Sequence, residues 1–132
     1  MNDTSKATIL VAEDDVTVAM IAAFNLERAG FSVEVASNGG DALNKANVKL
    51  FDLVITDEEM PLMTGQQLCR RLRDDERYAE TPIIFLTAKQ FELDSEHLKD
   101  ELGVSAVVSK PFSPRALVDM AGLCTTSART SA

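Results

Sequence analysis

Short apolar runs alternate with longer amphipathic stretches along the chain. Runs with the length of β-strands lie at residues 8–12, 31–36, 53–56, 82–87 and 106–108. The first run is nearly continuously apolar, which is typical of a strand that is buried on both faces of a sheet. Residues 31–36 alternate between apolar and polar side chains and therefore indicate a strand at the edge of the sheet.

The amphipathic stretches predict five helices. They lie at about residues 16–29, after a turn at 38–40, and at about 65–73, 92–102 and 114–123. Asp41 is the predicted cap of the second helix, Gly30 suits the end of the first, and Pro114 suits the first turn of the last. Residues 74–81 are predicted to form a polar loop.

Strands and helices that alternate in this way predict a doubly wound α/β fold, in which helices cover both faces of a parallel sheet. We expect one domain at residues 7–123, a polar arm at 1–6 and a flexible C-terminal tail at 124–132. In such sheets the functional crevice lies outside the carboxyl ends of the strands, where the strand order reverses. The chemistry is therefore expected at the strand ends.

Composition and charge narrow the classes of function. The 132 residues fit one domain, and the apolar content of 45% argues against wholesale disorder. Thirteen basic and 21 acidic residues give a net charge of −8, which argues against direct binding to nucleic acid or anionic membranes and permits cations and basic partners. The chain has no apolar run near the roughly 20 residues of a membrane span and no secretory signal. Cys69 and Cys124 are expected to be the reduced thiols of a cytoplasmic protein.

Polar residues follow four of the five predicted strands. The first strand ends in Glu13, Asp14 and Asp15, the third in Asp57, the fourth in Thr87 and the fifth at Lys110. If all strands are parallel, these groups meet at one rim, and two carboxylates about 4 Å apart then repel by roughly 4 kcal/mol. A hard divalent cation, Mg²⁺ above all, would remove that repulsion. With a lysine and a hydroxyl beside it, a carboxylate in this place is a candidate phosphoryl acceptor.

Each of these residues also has an ordinary structural explanation. An acidic cluster before a helix often caps it, and Asp15 is a candidate N-cap. Asp57 could be a turn residue, Thr87 a β-branched strand residue and Lys110 a solvated charge. Their joint placement at four strand ends favours a functional site.

Four segments carry a resemblance to a known family: residues 9–15, 54–65, 82–88 and 108–112, which include the patterns D-x-x-M-P-x-x-x-G, T-A and K-P-F. Together with the turn at 36–43, they resemble the receiver domain of two-component response regulators, over about residues 7–123. The resemblance implies a flavodoxin-like, five-stranded parallel sheet of order 2-1-3-4-5 with five helices.

The resemblance also implies roles for the rim residues. Asp57 would be the phosphoacceptor. Glu13 and Asp14, with Asp57 and the backbone carbonyl of Glu59, would hold Mg²⁺ as the cofactor. Lys110 would pair with the acceptor carboxylate and then with the phosphoryl oxygens.

Thr87 would, by the same resemblance, hydrogen-bond the phosphoryl group and bias the domain toward its active state, and the Lys110–Pro111 bond would be cis. Val107 departs from the usual pattern of the family, in which most members have an aromatic residue there whose inward rotation accompanies activation. Glu59 and Lys89 are predicted to meet across the mouth of the site and to slow hydrolysis.

The implied partners are a sensor histidine kinase or phosphotransfer protein, docking near Val18, Pro111 and Phe112, and a downstream protein target. The resemblance leaves room for a homodimer that forms on phosphorylation. It implies no direct contact with nucleic acid or membrane, a cytoplasmic location, and no enzyme activity beyond the domain's own phosphorylation and dephosphorylation.

Three other classes of protein fit less well. An aspartyl-phosphate hydrolase would need a D-x-D near the first strand and a cap insertion. A flavodoxin would need a phosphate loop where residues 13–15 stand. A degenerate receiver used as a scaffold would not need Asp57, Thr87 and Lys110.

Overall fold

The structure is a computed structural model that describes residues 6–88 and 95–130. Most of the predicted N-terminal arm, the predicted start of the fourth helix at 92–94 and Lys89 lie outside the described residues, as do residues 131–132.

Five parallel strands form one sheet in the order β2-β1-β3-β4-β5. The strands are β1 (Thr8–Ala12), β2 (Ser32–Ala36), β3 (Leu53–Asp57), β4 (Ile83–Thr87) and β5 (Ala106–Ser109). The helices between and after them are α1 (Val16–Arg28), α2 (Gly39–Val48), α3 (Gly65–Arg73), α4 (Ser95–Leu102) and α5 (Pro114–Thr130). The predicted fold class and strand order are therefore confirmed, with β2 as an edge strand.

The sheet separates two apolar cores because side chains alternate between its faces. On one face, Leu10 and Val54 pack with residues of α2, α3 and α4. On the other, Ile9 and Ile55 pack with residues of α1 and α5. Within the described part of the chain, no helix has the length and apolarity that a membrane crossing requires.

Two helix boundaries differ from the prediction. Asn38, not Asp41, is the N-cap of α2: its side-chain oxygen accepts a hydrogen bond from the Asp41 amide at 2.8 Å, and the helix begins at Gly39. The last helix, predicted to end near residue 123, continues to Thr130. Thr125 is buried there, and its hydroxyl donates to the Ala121 carbonyl one turn earlier.

The predicted polar loop after α3 contains a short 3-10 turn, Glu76–Tyr78, that the sequence pattern did not reveal. Tyr78 is buried, and its hydroxyl lies 2.9 Å from the carbonyl oxygen of Ala46 and 2.8 Å from that of Lys49. The same hydroxyl accepts a hydrogen bond from the Phe51 amide. It therefore links the C-terminal end of α2 to the segment just before β3. This link lies at the amino ends of the strands, opposite the polar groups at their carboxyl ends.

Candidate functional site

The carboxyl ends of β1, β3, β4 and β5 form one rim of the sheet. The register places Ala12 beside Thr56, Asp57 beside Leu86 and Thr87 beside Ser109. Because the strands are parallel and adjacent, the residues that follow them project from the same edge. This arrangement brings together the polar groups that the sequence placed at separate strand ends.

Three carboxylates meet at this rim. One ligand oxygen from each of Glu13, Asp14 and Asp57 lies within 4.8 Å of the others. Glu13 is 2% exposed and Asp57 is 4% exposed, whereas Asp14 is open to solvent. Burial of the carboxyl group raises the pKa of Glu13 to about 7, although the nearby Lys110 ammonium and a hydrogen bond from the Asp15 amide oppose the rise.

Lys110 bridges two of these carboxylates. Its ammonium nitrogen lies 2.7 Å from Glu13 Oε1 and 3.1 Å from Asp57 Oδ2. Partial burial lowers the pKa of the Lys110 ammonium, but its contacts with Glu13 and Asp57 outweigh that effect, so the pKa lies above its ordinary value. The Lys110–Pro111 peptide bond is cis, as the resemblance implied.

The carboxylates have the chemistry of a site for a hard divalent cation, since Mg²⁺ prefers carboxylate and carbonyl oxygens. Among the described residues, Glu13 Oε1 is buried and has no partner in hydrogen-bonding geometry, even though the Lys110 ammonium lies close to it. A single lysine does not offset three carboxylates. The set Glu13, Asp14 and Asp57 therefore fits Mg²⁺ on both charge and ligand type.

Thr87 and Glu59 lie next to this cluster. Thr87 is fully buried at the end of β4, and its carbonyl accepts a hydrogen bond from the Lys110 amide at 2.9 Å. The Glu59 side chain is exposed, while its amide donates to Asp57 Oδ1 at 3.3 Å. The predicted meeting of Glu59 with Lys89 stays a prediction because Lys89 lies outside the described residues.

Val107 packs, partly buried, against the core that contains α3 and α4, beside Phe85 of the neighbouring strand. The position that the resemblance associates with a rotating aromatic ring is therefore filled by a short aliphatic side chain.

Two features near the rim were not predicted from the sequence. Glu58, the residue after Asp57, directs its carboxylate to the start of α3, where it accepts hydrogen bonds from Gln66. The outer face of α1 carries exposed apolar side chains four residues apart, at Val16, Met20 and Phe24. The spacing of the α1 residues was visible in the sequence, whereas no pattern signals the direction of the Glu58 side chain.

The residues predicted to contact a kinase differ in exposure. Val18 on α1 is partly exposed, Pro111 is exposed, and Phe112 packs partly buried against the core of α1 and α5. Their role stays a prediction.

Comparisons with known proteins agree with the fold and identify the family. A family model described as the response regulator receiver domain matches residues 9–122. The alkaline phosphatase synthesis transcriptional regulatory protein PhoP of Bacillus subtilis is 40% identical over 107 residues, which are 81% of this chain and 43% of that protein. A probable transcriptional regulator, ycf29, of Porphyra purpurea is 38% identical over 85% of this chain and 53% of its own length.

Solved structures are similar over nearly their full length. The chemotaxis response regulator CheY4 of Vibrio cholerae superposes with a TM-score of 0.82 at 31% identity, covering 91% of this chain and 99% of that one. A putative response regulator from Chloroflexus aurantiacus gives a TM-score of 0.83 at 32% identity, covering 92% and 99%. The chain spans about half the length of the curated relatives it matches.

Proposed function

The chain belongs to the response regulator receiver domain family of two-component signalling, and from that premise we propose that Asp57 accepts a phosphoryl group from a phosphohistidine of a sensor kinase or phosphotransfer protein. Family membership implies signalling by phosphorylation; the acceptor, the cofactor and the partners are the proposal. The observation that carries it is the Lys110 ammonium, which lies within 3.1 Å of both Glu13 and Asp57 oxygens at the carboxyl rim.

In the proposed reaction, an Asp57 carboxylate oxygen attacks phosphorus. The new O–P bond makes an acyl phosphate, while the N–P bond of the donor breaks and its imidazole nitrogen keeps the electron pair. Lys110 begins as the counter-ion of the Asp57 carboxylate and can shift to the phosphoryl oxygens without leaving the rim, because an ammonium donates in several directions. Burial of Asp57 keeps water away from its carboxylate, so the paired charge acts at a lower effective dielectric.

Glu13, Asp14 and Asp57, with the backbone carbonyl of Glu59, would hold Mg²⁺. When bound, the cation would neutralise the negative charge that gathers between the acceptor and the incoming phosphoryl group. The protein's own contribution is to hold two of the carboxylates buried and fixed, Glu13 through the Asp15 amide at 3.1 Å and Asp57 through the Glu59 amide.

The switch would then act without a rotating ring. Thr87 would hydrogen-bond the phosphoryl group, and its carbonyl already joins β4 to the Lys110 amide, so a shift at Thr87 would pull on the β5 end as well. Val107 is too small to report that shift by turning into the core. A bias of a few kcal/mol between two states is enough for such a switch.

The proposal also covers the location of the domain, its partners and its output. We place the domain in the cytoplasm, with a kinase or phosphotransfer protein docking near Val18, Pro111 and Phe112, and with output through a protein partner or a phosphorylation-dependent homodimer. In this proposal the domain is a switch that catalyses only its own phosphorylation and dephosphorylation. The absence of direct contact with nucleic acid stays a prediction for this chain, since the curated relatives are named as transcriptional regulators and are about twice as long.

The test is phosphorylation by acetyl phosphate, followed by intact-mass and peptide mass spectrometry. We expect one added phosphoryl group on wild type with Mg²⁺, none with EDTA, none on Asp57→Asn, and strongly reduced modification of Lys110→Ala. Asp119→Asn, which changes an exposed aspartate of α5, is the matched control and should behave as wild type. Normal modification of Asp57→Asn, or modification that ignores EDTA, would contradict the proposal.

A further inference from the structure

Glu58 joins the acceptor strand to α3 through its carboxylate and its backbone carbonyl. Its carboxylate accepts two hydrogen bonds from Gln66, from the amide to Oε1 at 3.0 Å and from the side-chain nitrogen to Oε2 at 3.1 Å. Its carbonyl accepts from the Gly65 amide at 2.9 Å, and its own amide donates to the Leu86 carbonyl at 3.2 Å. The side chain is half-buried.

The start of α3 depends on this residue. The first amides of a helix have no partner within the helix and must find one elsewhere. Here the Gly65 and Gln66 amides both bond to Glu58, while Thr64 caps the next amide, that of Gln67, at 3.1 Å. Gly65 also lies so close to β3 that a Cβ there would collide with the Asp57 carbonyl oxygen. The helix is thereby fixed directly to the peptide that follows the acceptor.

We propose that Glu58 is a positioning residue of the acceptor site: its carboxylate, held on the first turn of α3, fixes the peptides between Asp57 and Glu59 in the orientation that the cation and the phosphoryl group require. The proposal rests on the proposed function. It does not depend on the charge of Glu58. It depends on the length of the side chain, which connects the end of β3 to the start of α3.

The connection matters because the residues on either side of Glu58 both serve the site. Asp57 supplies the acceptor carboxylate, and Glu59 supplies an amide to that carboxylate and, in the proposed function, a carbonyl to Mg²⁺. A rotation of the Glu58 backbone would move both at once. Groups that orient the ligands of a metal without touching it typically alter metal affinity by 10–100-fold when they are removed.

Two substitutions separate the effect of the length of the Glu58 side chain from the effect of its charge. Glu58→Asp keeps the charge but shortens the side chain by one carbon–carbon bond, about 1.5 Å, which places its oxygens beyond hydrogen-bonding distance of Gln66. Glu58→Gln keeps the length and an acceptor oxygen but removes the charge. Thr64→Ala is the matched control, because it weakens the same helix start without touching the acceptor strand.

The measurements are Mg²⁺ affinity by calorimetry and the rate of phosphorylation by acetyl phosphate, on the full chain. We expect Glu58→Asp to weaken Mg²⁺ binding roughly tenfold and to slow phosphorylation. Glu58→Gln should stay within about threefold of wild type, because its oxygen still accepts from the Gln66 amide and its new NH2 group can donate to the Gln66 side-chain oxygen once that amide flips. Thr64→Ala should match wild type in both.

The reverse order, with Glu58→Gln impaired and Glu58→Asp normal, would overturn the proposal in favour of a simple charge effect. Equal loss in Glu58→Asp and Thr64→Ala would overturn it in favour of general weakening of α3. If Glu58→Asp does not fold, Gln66→Ala, which removes one of the two bonds to the carboxylate, takes its place with a smaller loss expected. Wild type that binds no Mg²⁺ and accepts no phosphate would instead refute the proposed function.

Discussion

We expect metal-free protein to become less stable as the pH rises, because Glu13 must lose its proton inside a buried site. The carboxyl group is 2% exposed, and burial raises its pKa from 4.5 to about 7. A buried carboxyl that holds its proton more tightly in the folded state stabilises that state when it is protonated. The contribution is fully present below the unfolded pKa of about 4.5 and is lost as the pH rises through about 7.

The size of the effect follows from the two pKa values. One pKa unit corresponds to about 1.4 kcal/mol, so the whole difference amounts to about 3 kcal/mol of unfolding free energy. About 2 kcal/mol of this is lost between pH 5.5 and pH 8, above the pI of about 4.6. Glu13→Gln has no proton to lose at this position and should therefore lack that part of the pH dependence.

The assay is urea unfolding followed by far-ultraviolet circular dichroism, with EDTA present, at several pH values in this window. Wild type should lose about 2 kcal/mol more than Glu13→Gln, while the exposed-site control Glu27→Gln should follow wild type. Subtracting the two curves removes other groups, including Glu58, whose pKa burial also raises. Parallel curves for wild type and Glu13→Gln would refute the reasoning. Mg²⁺ at pH 8 should stabilise wild type more than Glu13→Gln.

Three further changes probe the fold that supports the site. Tyr78→Phe should lower the free energy of unfolding by about 1–3 kcal/mol, measured by urea unfolding, because it removes the hydroxyl that bonds to the buried Ala46 carbonyl and Phe51 amide. Gly65→Ala should lower both stability and phosphorylation of Asp57, since the added Cβ has no space; wild-type melting temperature and phosphorylation rate would contradict the clash. In native protein a thiol reagent should modify Cys124 before Cys69, because Cys69 is fully buried and burial raises its pKa to about 11; equal rates would count against this.

The central strands could be predicted because a strand that is buried on both faces is apolar at nearly every position. A run such as residues 53–56 is apolar at every position except its last, and β3 occupies it with one further residue, Asp57. The parallel arrangement then determines that strand ends meet, so the gathering of Glu13, Asp57 and Lys110 needed no knowledge of side-chain packing. Their roles in phosphorylation remain predictions.

The predicted start of α2 and end of α5 are wrong because a polar side chain forms a local hydrogen bond there. The pattern of apolar and polar residues does not indicate such a bond. The two glycines after Asn38 predict a turn, yet the Asn38 side chain begins α2 by accepting a hydrogen bond from the Asp41 amide. The small polar residues after Leu123 predict the end of α5 at about that residue. Burial of Thr125 and its bond to the Ala121 carbonyl instead support helix beyond that point. In both cases a polar side chain satisfies the backbone that its polarity was expected to interrupt.

A count of the acidic residues at the rim overestimates the number of carboxylates that could bind one cation. Six carboxylates lie at the ends of β1 and β3, at residues 13–15 and 57–59, but among the described residues only three lie close enough together to share a cation. Asp15 accepts from the amides of Thr17 and Val18 as the N-cap of α1, Glu58 serves the start of α3, and the Glu59 side chain is exposed. In a parallel sheet each strand end is followed by a helix start, and both attract carboxylates, one through a cation and the other through unpaired amides. The capping interpretation therefore holds for Asp15, while the functional interpretation of Glu13, Asp14 and Asp57 stays a proposal.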